Sequence, residues 1–264
     1  MNRRRFLATS SAAAALANLA SGAAARAQAP AGGGARQYYE LRRYHLLNGP
    51  QKTAADAYFR DALMPALNRQ GIAPVGAFNV SIGPQGSSAY LLLPGSAEAL
   101  VNVPVRLAAD AEYQKAAASF LNAPMQQPGF VRMENGLFSA LDALPRLTPP
   151  PTQGARLFEL RTYESTTWQD HLRKVEMVNV GELPIFKQSG FWPIFMGDAV
   201  IGDRQPNLTY MIGFPTLADR DKYWAAFFGS DGWKALTSNP RYNFETLVAN
   251  VDNQILTPAA YSQI

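Results

Sequence analysis

The sequence predicts an α+β protein built from two β-α-β-β-α-β units whose sheets close into one barrel. Three observations carry this expectation: a strand-like motif written twice, the same succession of elements after each copy, and a proline-rich break between them. Glu40-Leu41-Arg42-Arg43-Tyr44 returns as Glu159-Leu160-Arg161-Thr162-Tyr163, 119 residues further on. Pro65/Pro184, Gly71/Gly190 and Gly83/Gly202 keep the same offset without a gap, the mark of a tandem duplication. Past Gly83 the best match drifts by a residue, aligning Ser88-Ala89-Tyr90-Leu91 with Leu208-Thr209-Tyr210-Met211 and Tyr113 with Trp233. Pro145, Pro149, Pro150 and Pro151 place a stiff linker at 146–154, between a first repeat at 38–145 and a second at 155–264.

Each element follows from its pattern. Glu-Leu-Arg-x-Tyr alternates with the period of a strand, and helical stretches follow at 51–70 and 167–188. Gly71 and Gly190 suit the left-handed position just past a helix end. Strands are expected near 72–82 and 88–93, matched by 191–201 and 207–214. Helical pieces follow near 96–121 and 216–237, and last strands near 130–140 and 242–256. This order is the ferredoxin-like split arrangement, an antiparallel sheet with helices on one face. Two fused copies can cover each other's open faces, which gives an intramolecular version of a dimeric α/β barrel.

The chain opens with Arg3-Arg4-Arg5-Phe6-Leu7 and an Ala/Ser/Gly-rich run, the form of a twin-arginine export signal, with cleavage after Ala25-Arg26-Ala27. Residues 1–27 are therefore read as signal and 28–37 as a flexible tail. The expected location is periplasmic or otherwise extracytoplasmic, with no membrane span after cleavage, because the Ala-rich run is too polar and short to cross a bilayer. The chain has 24 Lys and Arg against 20 Asp and Glu. Arg3, Arg4, Arg5 and Arg26 all belong to the signal, so the remainder is balanced and offers no basic footprint for nucleic acid. Zero cysteines exclude a disulfide framework, thiolate nucleophiles and Cys-ligated metals.

In the second copy Leu157, Glu159, Arg161 and Tyr163 point one way and Phe158, Leu160 and Thr162 the other; the first copy sets Glu40, Arg42 and Tyr44 against Tyr39 and Leu41. The apolar sets are expected under the helices. The Glu/Arg/Tyr sets are then expected to face each other across the barrel interior, either as a satisfied polar network or as guanidinium groups presented to a small, anionic ligand.

His171 falls at the edge of the apolar stripe of its helix, an ordinary boundary position, with a general base or a haem ligand as the sharper alternatives. His45 follows the first motif, and its repeat counterpart is Glu164. No His-x-His or His-Glu-x-x-His spacing exists, so no metal site is expected. Serine-nucleophile, phosphate-loop and dinucleotide patterns are absent. The aromatics concentrate in the second half and read mainly as core. Trp192, beside Pro193 at a strand start, is the one placed on a cavity wall. Arg220, between Asp219 and Asp221, reads as a solvated helix residue.

Glu159-Leu160-Arg161-Thr162-Tyr163, Leu183-Pro184, Gly190-Phe191-Trp192 and Asp219-Arg220-Asp221-Lys222-Tyr223-Trp224 with Gly232-Trp233 resemble the NIPSNAP family. The first half resembles it as a degenerate copy, with Ala99 and Val103 near the places of Arg220 and Trp224. The resemblance implies a ferredoxin-like dimeric α/β-barrel fold and supplies no reaction. The wider superfamily includes cofactor-independent monooxygenases and haem-binding proteins, an analogy of fold only. The expectation is thus an exported barrel that binds a small molecule, with no cofactor required and a further homodimer compatible with it. A haem- or oxygen-handling enzyme and a non-catalytic interaction module are the alternatives. Arg161, Tyr163, Glu159, Arg42, Tyr44, Glu40, His171 and Trp192 are the candidate ligand-binding residues.

Overall fold

The computed structural model describes residues 36–84 and 87–264. The signal read at 1–27 and residues 28–35 of the tail lie outside the described residues. The first half runs β1 (Tyr38–His45), α1 (Pro50–Tyr58), a π-helical turn (Phe59–Leu63), α2 (Met64–Arg69), β2 (Gly76–Ile82) and β3 (Ser88–Gly95). Four short helices follow, α3 (Ala97–Val101), α4 (Val103–Ala109), α5 (Ala111–Ala116) and α6 (Ala118–Leu121), and then β4 (Arg132–Ala140). The second half runs β5 (Leu157–Glu164), α7 (Trp168–Met177), a π-helical turn (Val178–Glu182), α8 (Leu183–Ser189), β6 (Trp192–Ile201) and β7 (Asn207–Phe214). It ends with α9 (Leu217–Gly229), α10 (Asp231–Thr237), a 3₁₀ turn (Pro240–Tyr242), α11 (Phe244–Leu247) and β8 (Asn250–Pro258).

All eight strands close into a barrel in the order β1-β3-β2-β8-β5-β7-β6-β4, every neighbouring pair antiparallel. The halves join at two seams, β2 with β8 and β4 with β6. Local chemistry explains the element ends. Thr167, Thr216 and Ser230 each accept a backbone N–H at a helix start. Gly71 and Gly190 adopt φ of +79° and +106°, as their helix-end positions require. The last strand begins at Asn250 rather than near 242, because Asn239 and Asn243 cap two short helical turns with their side chains.

The π turns share a single repeat register, Phe59/Val178 to Leu63/Glu182, just before Pro65 and Pro184. Proline has no N–H to donate and its ring crowds the carbonyl four residues back. The wider turn closes instead from Met64 N–H to Phe59 O and from Leu183 N–H to Val178 O, which lets the helix pass the proline.

The strand faces are opposite to the expectation. Tyr39, Phe78, Tyr90, Leu92, Phe138, Phe158, Leu160, Phe195, Met211 and Leu256 form one apolar cluster drawn from both halves, and this fills the barrel. The Glu/Arg/Tyr sets lie outside, beneath the helices: Tyr44 packs with α1 and α2, and Tyr163 with α7 and α8. The repeat also holds its offset of 119 further than the sequence match indicates. Arg42 pairs with Leu91 and Arg161 with Tyr210, so Tyr90 corresponds to Thr209. A one-residue slip in that match exchanges inward for outward side chains. Phe158, fully buried and edge-on to Phe78 at 5.1 Å, therefore sits in the barrel core. Phe158→Ala is expected to cost about 3–5 kcal/mol of unfolding free energy, measured by chemical denaturation.

Candidate functional site

The expected interior triads are brought together with helix residues and not with each other. Glu159 is fully buried and accepts five hydrogen bonds: two from Arg220 (2.7 and 2.9 Å), and one each from Arg161 (2.5 Å), Asn253 (3.0 Å) and Trp224 Nε1 (3.1 Å). The Arg161 guanidinium lies 4.8 Å from the Trp224 ring centre and donates to the Tyr163 hydroxyl at 3.3 Å. Burial alone would raise the Glu159 carboxyl, but Arg220, Arg161, Asn253 and Trp224 outweigh it and hold the group down at about 2. In the first half Arg42 binds Glu40 through two bonds (2.7 and 2.9 Å), and Asn135 adds a third at 3.1 Å. Tyr44 stacks edge-on against Phe59. These carboxylates and guanidinium groups spend their hydrogen bonds on one another between sheet and helices, which is why they do not face a ligand in the barrel.

His171 is buried, not at a boundary: its Nε2 lies 2.6 Å from Asp198, and Nδ1 has no hydrogen-bond partner. Nearby, Lys174 and Glu182 form a buried ion pair at 2.5 Å, with the ammonium over the rings of Tyr163 and Phe244. His45, at the end of β1, receives a hydrogen bond from Arg43 at 3.0 Å. Neither histidine lines the barrel cavity, so a haem ligated there does not fit these residues. Among the described residues no cluster of three or more His, Asp or Glu could hold a metal ion. Trp192 packs against the barrel core, where its ring closes on Gly213 and not on the open cavity.

The barrel itself opens at one mouth onto a cavity of about 400 Å³. Leu41, Phe138 and Leu160 line its floor, and Tyr90, Thr162, Thr209 and Gln254 its walls. The rim carries Arg43 opposite Glu134 at 3.4 Å, and Arg204 bound to Asp252 at 2.8 Å. Arg204 holds a left-handed φ of 54°, a conformation a non-glycine residue adopts at some cost, and its ion pairs with Asp252 and Glu164 anchor it there. Gln254 and the Tyr90 hydroxyl are hydrogen bonded across the interior at 3.0 Å. The opposite end is filled by Ile264, with Leu147 and Trp192 packed against the same core. Sequence reasoning missed the mouth because it reversed the strand faces. The available signal was the one-turn spacing of Arg220 and Trp224 on their helix, whose donors require an acceptor on the strand face below them.

The Glu159 geometry sets an acid dependence. Its carboxyl falls from an ordinary 4.5 to about 2 on folding, so the stability it contributes is fully present above about 4.5 and is lost as pH falls through about 2. The contribution is on the order of 3 kcal/mol. Glu159→Gln is expected to remove a similar amount at pH 7 and to flatten the decline between pH 4.5 and 2, as read from urea melts across that range.

Residues 158–263 match the model of the NIPSNAP family. No curated protein matches the sequence. A candidate monooxygenase from Fusobacterium nucleatum superposes with a TM-score of 0.57 at 9% identity, over 85% of this chain and 93% of its own. A second, from Lactobacillus acidophilus, gives 0.55 at 8%, over 84% and 94%. An anthrone oxidase-like protein gives 0.52 at 13%, over 85% and 92%. These likenesses extend to the fold of the whole barrel and assign no reaction. Residues 158–263 thus resemble a NIPSNAP domain, and they form the second half of a closed barrel of the dimeric α/β type.

Proposed function

We propose that this protein binds a small molecule in the open mouth of its barrel. The observation that carries the reading is the axial division of the interior. Below, apolar side chains from both halves pack into a closed core; above, a cavity of about 400 Å³ combines an apolar floor with buried hydroxyl and amide groups. That size and mixture suit a ligand with an apolar body and one or two hydrogen-bonding groups. A barrel serving only as an interaction module has no need of this space. Rim arginines and carboxylates are paired with one another, so the mouth as a whole does not favour an anion, and Arg42 and Arg161, bound to Glu40 and Glu159 outside the barrel, do not reach one there. Export by the twin-arginine route is proposed on Arg3-Arg4-Arg5-Phe6-Leu7 alone, and it would place the ligand outside the cytoplasm.

The test fills the cavity. Leu160 is nearly buried on the floor, where a larger side chain projects into open space. In a ligand-observed NMR screen of neutral fragments, those bound by the unaltered protein are expected to bind Leu160→Trp at least tenfold more weakly, while thermal unfolding stays cooperative. Equal binding to both proteins overturns the assignment of the mouth.

A further inference from the structure

The hydrogen-bond directions at the mouth are forced by one amide. Asn207 is 3% exposed, and its Nδ2 donates to two backbone carbonyls, Asp203 O at 3.1 Å and Arg204 O at 3.2 Å. The reversed amide would set its oxygen against both carbonyls, so Oδ1 must be the free end. Thr209 Oγ1 lies 3.0 Å from that Oδ1, an acceptor only, and must spend its single proton there. Thr162 Oγ1 lies 2.9 Å from Thr209 Oγ1. Since the Thr209 proton is committed, the Thr162 hydroxyl donates to Thr209. What Thr162 has left is a lone pair, on a side chain that lines the cavity.

On this basis, and resting on the mouth as the binding site, we infer that the ligand carries a hydroxyl or N–H group donated to Thr162 Oγ1, with an apolar body seated on Leu41, Phe138 and Leu160. The row Asn207–Thr209–Thr162 is then the specificity element of the mouth. A ligand offering only an acceptor at that point sets its lone pair against the one on Thr162 and forgoes the hydrogen bond that a donor makes there. The Tyr90 hydroxyl across the barrel does not replace it, being engaged with Gln254.

The experiment uses the full chain with para-cresol and its methyl ether, which share an apolar ring and differ in the donor. Para-cresol is expected to bind about tenfold more tightly than the ether, by calorimetry or ligand-observed NMR. Thr162→Val keeps the side-chain shape and is expected to abolish the difference, whereas Thr162→Ser retains it. Thr209→Val frees the Thr162 proton for the ligand and is expected to narrow or reverse the preference, an effect that damaged packing does not produce. Equal binding of the two probes, or a preference that survives Thr162→Val, overturns the inference. If neither probe binds while other neutral fragments bind and are lost in Leu160→Trp, the donor rule fails and the mouth stands; if no fragment binds at all, both fail.

Discussion

A single buried carboxylate decides which way the strands of this barrel face. Glu159 has no access to water, and burying it without partners would cost several kcal/mol. Its donors come from the next strand, through Asn253, and from helix α9, through Arg220 and Trp224. The carboxylate must therefore lie between sheet and helix. Alternation along β5 does the rest: with Glu159 and Arg161 outward, Phe158, Leu160 and Thr162 have to point inward. The apolar core of the barrel and the polar wall of its mouth both follow from where one anion is satisfied.

The two halves keep this device to different degrees. Glu40 retains the adjacent arginine and the last-strand asparagine, which are the partners available within the sheet. It lacks counterparts of Arg220 and Trp224. The difference continues beneath the first-half helix, where Ala55 and Leu63 occupy the repeat positions of Lys174 and Glu182. The first half thus packs its helices with aliphatic and aromatic contacts, including the Tyr58 and Phe120 rings stacked at 3.9 Å. The second has an aromatic-rich core of its own and adds to it a set of buried charges and hydroxyls, Lys174 with Glu182 and Tyr163 with Tyr210. The shared π turns show that backbone geometry outlasted this divergence in side chains.

The duplication, the order of elements and the barrel were legible because they depend on periodicity, on glycine and proline, and on identities at a fixed spacing. Strand phase was not. Alternation divides residues into two sets but does not say which set is inside, and the rule that apolar residues go under helices fails when both faces of a sheet are buried. In this barrel the interior needed the apolar set more, since it admits few helix donors to satisfy a charge. The register of β3 against β7 was misread for a related reason: Tyr90 and Tyr210 match as letters, yet one faces the barrel and the other the helices. His171, on helix α7, resembled a boundary residue because its partner, Asp198, lies on strand β6, 27 residues away.

Strand order also explains why the chemistry gathers at one end. Four antiparallel steps separate β1 from β5 around the barrel, so the two motif strands lie on opposite walls and run in the same direction. Their first inward residues, Tyr39 and Phe158, go to the closed end, and their later ones, Arg43 and Thr162, to the mouth. Duplication therefore places two copies of one strand position in one cavity. That position is the residue between Arg and Tyr in Glu-Leu-Arg-x-Tyr, the place where the two motifs differ. Its neighbours diverge with it, Tyr90 beside Arg43 and Thr209 beside Thr162. The outward Glu and Arg were retained in both copies and fix the strands; the inward residue between Arg and Tyr was free to change, and it gives the mouth an arginine paired with Glu134 on one wall and a threonine hydroxyl on the other.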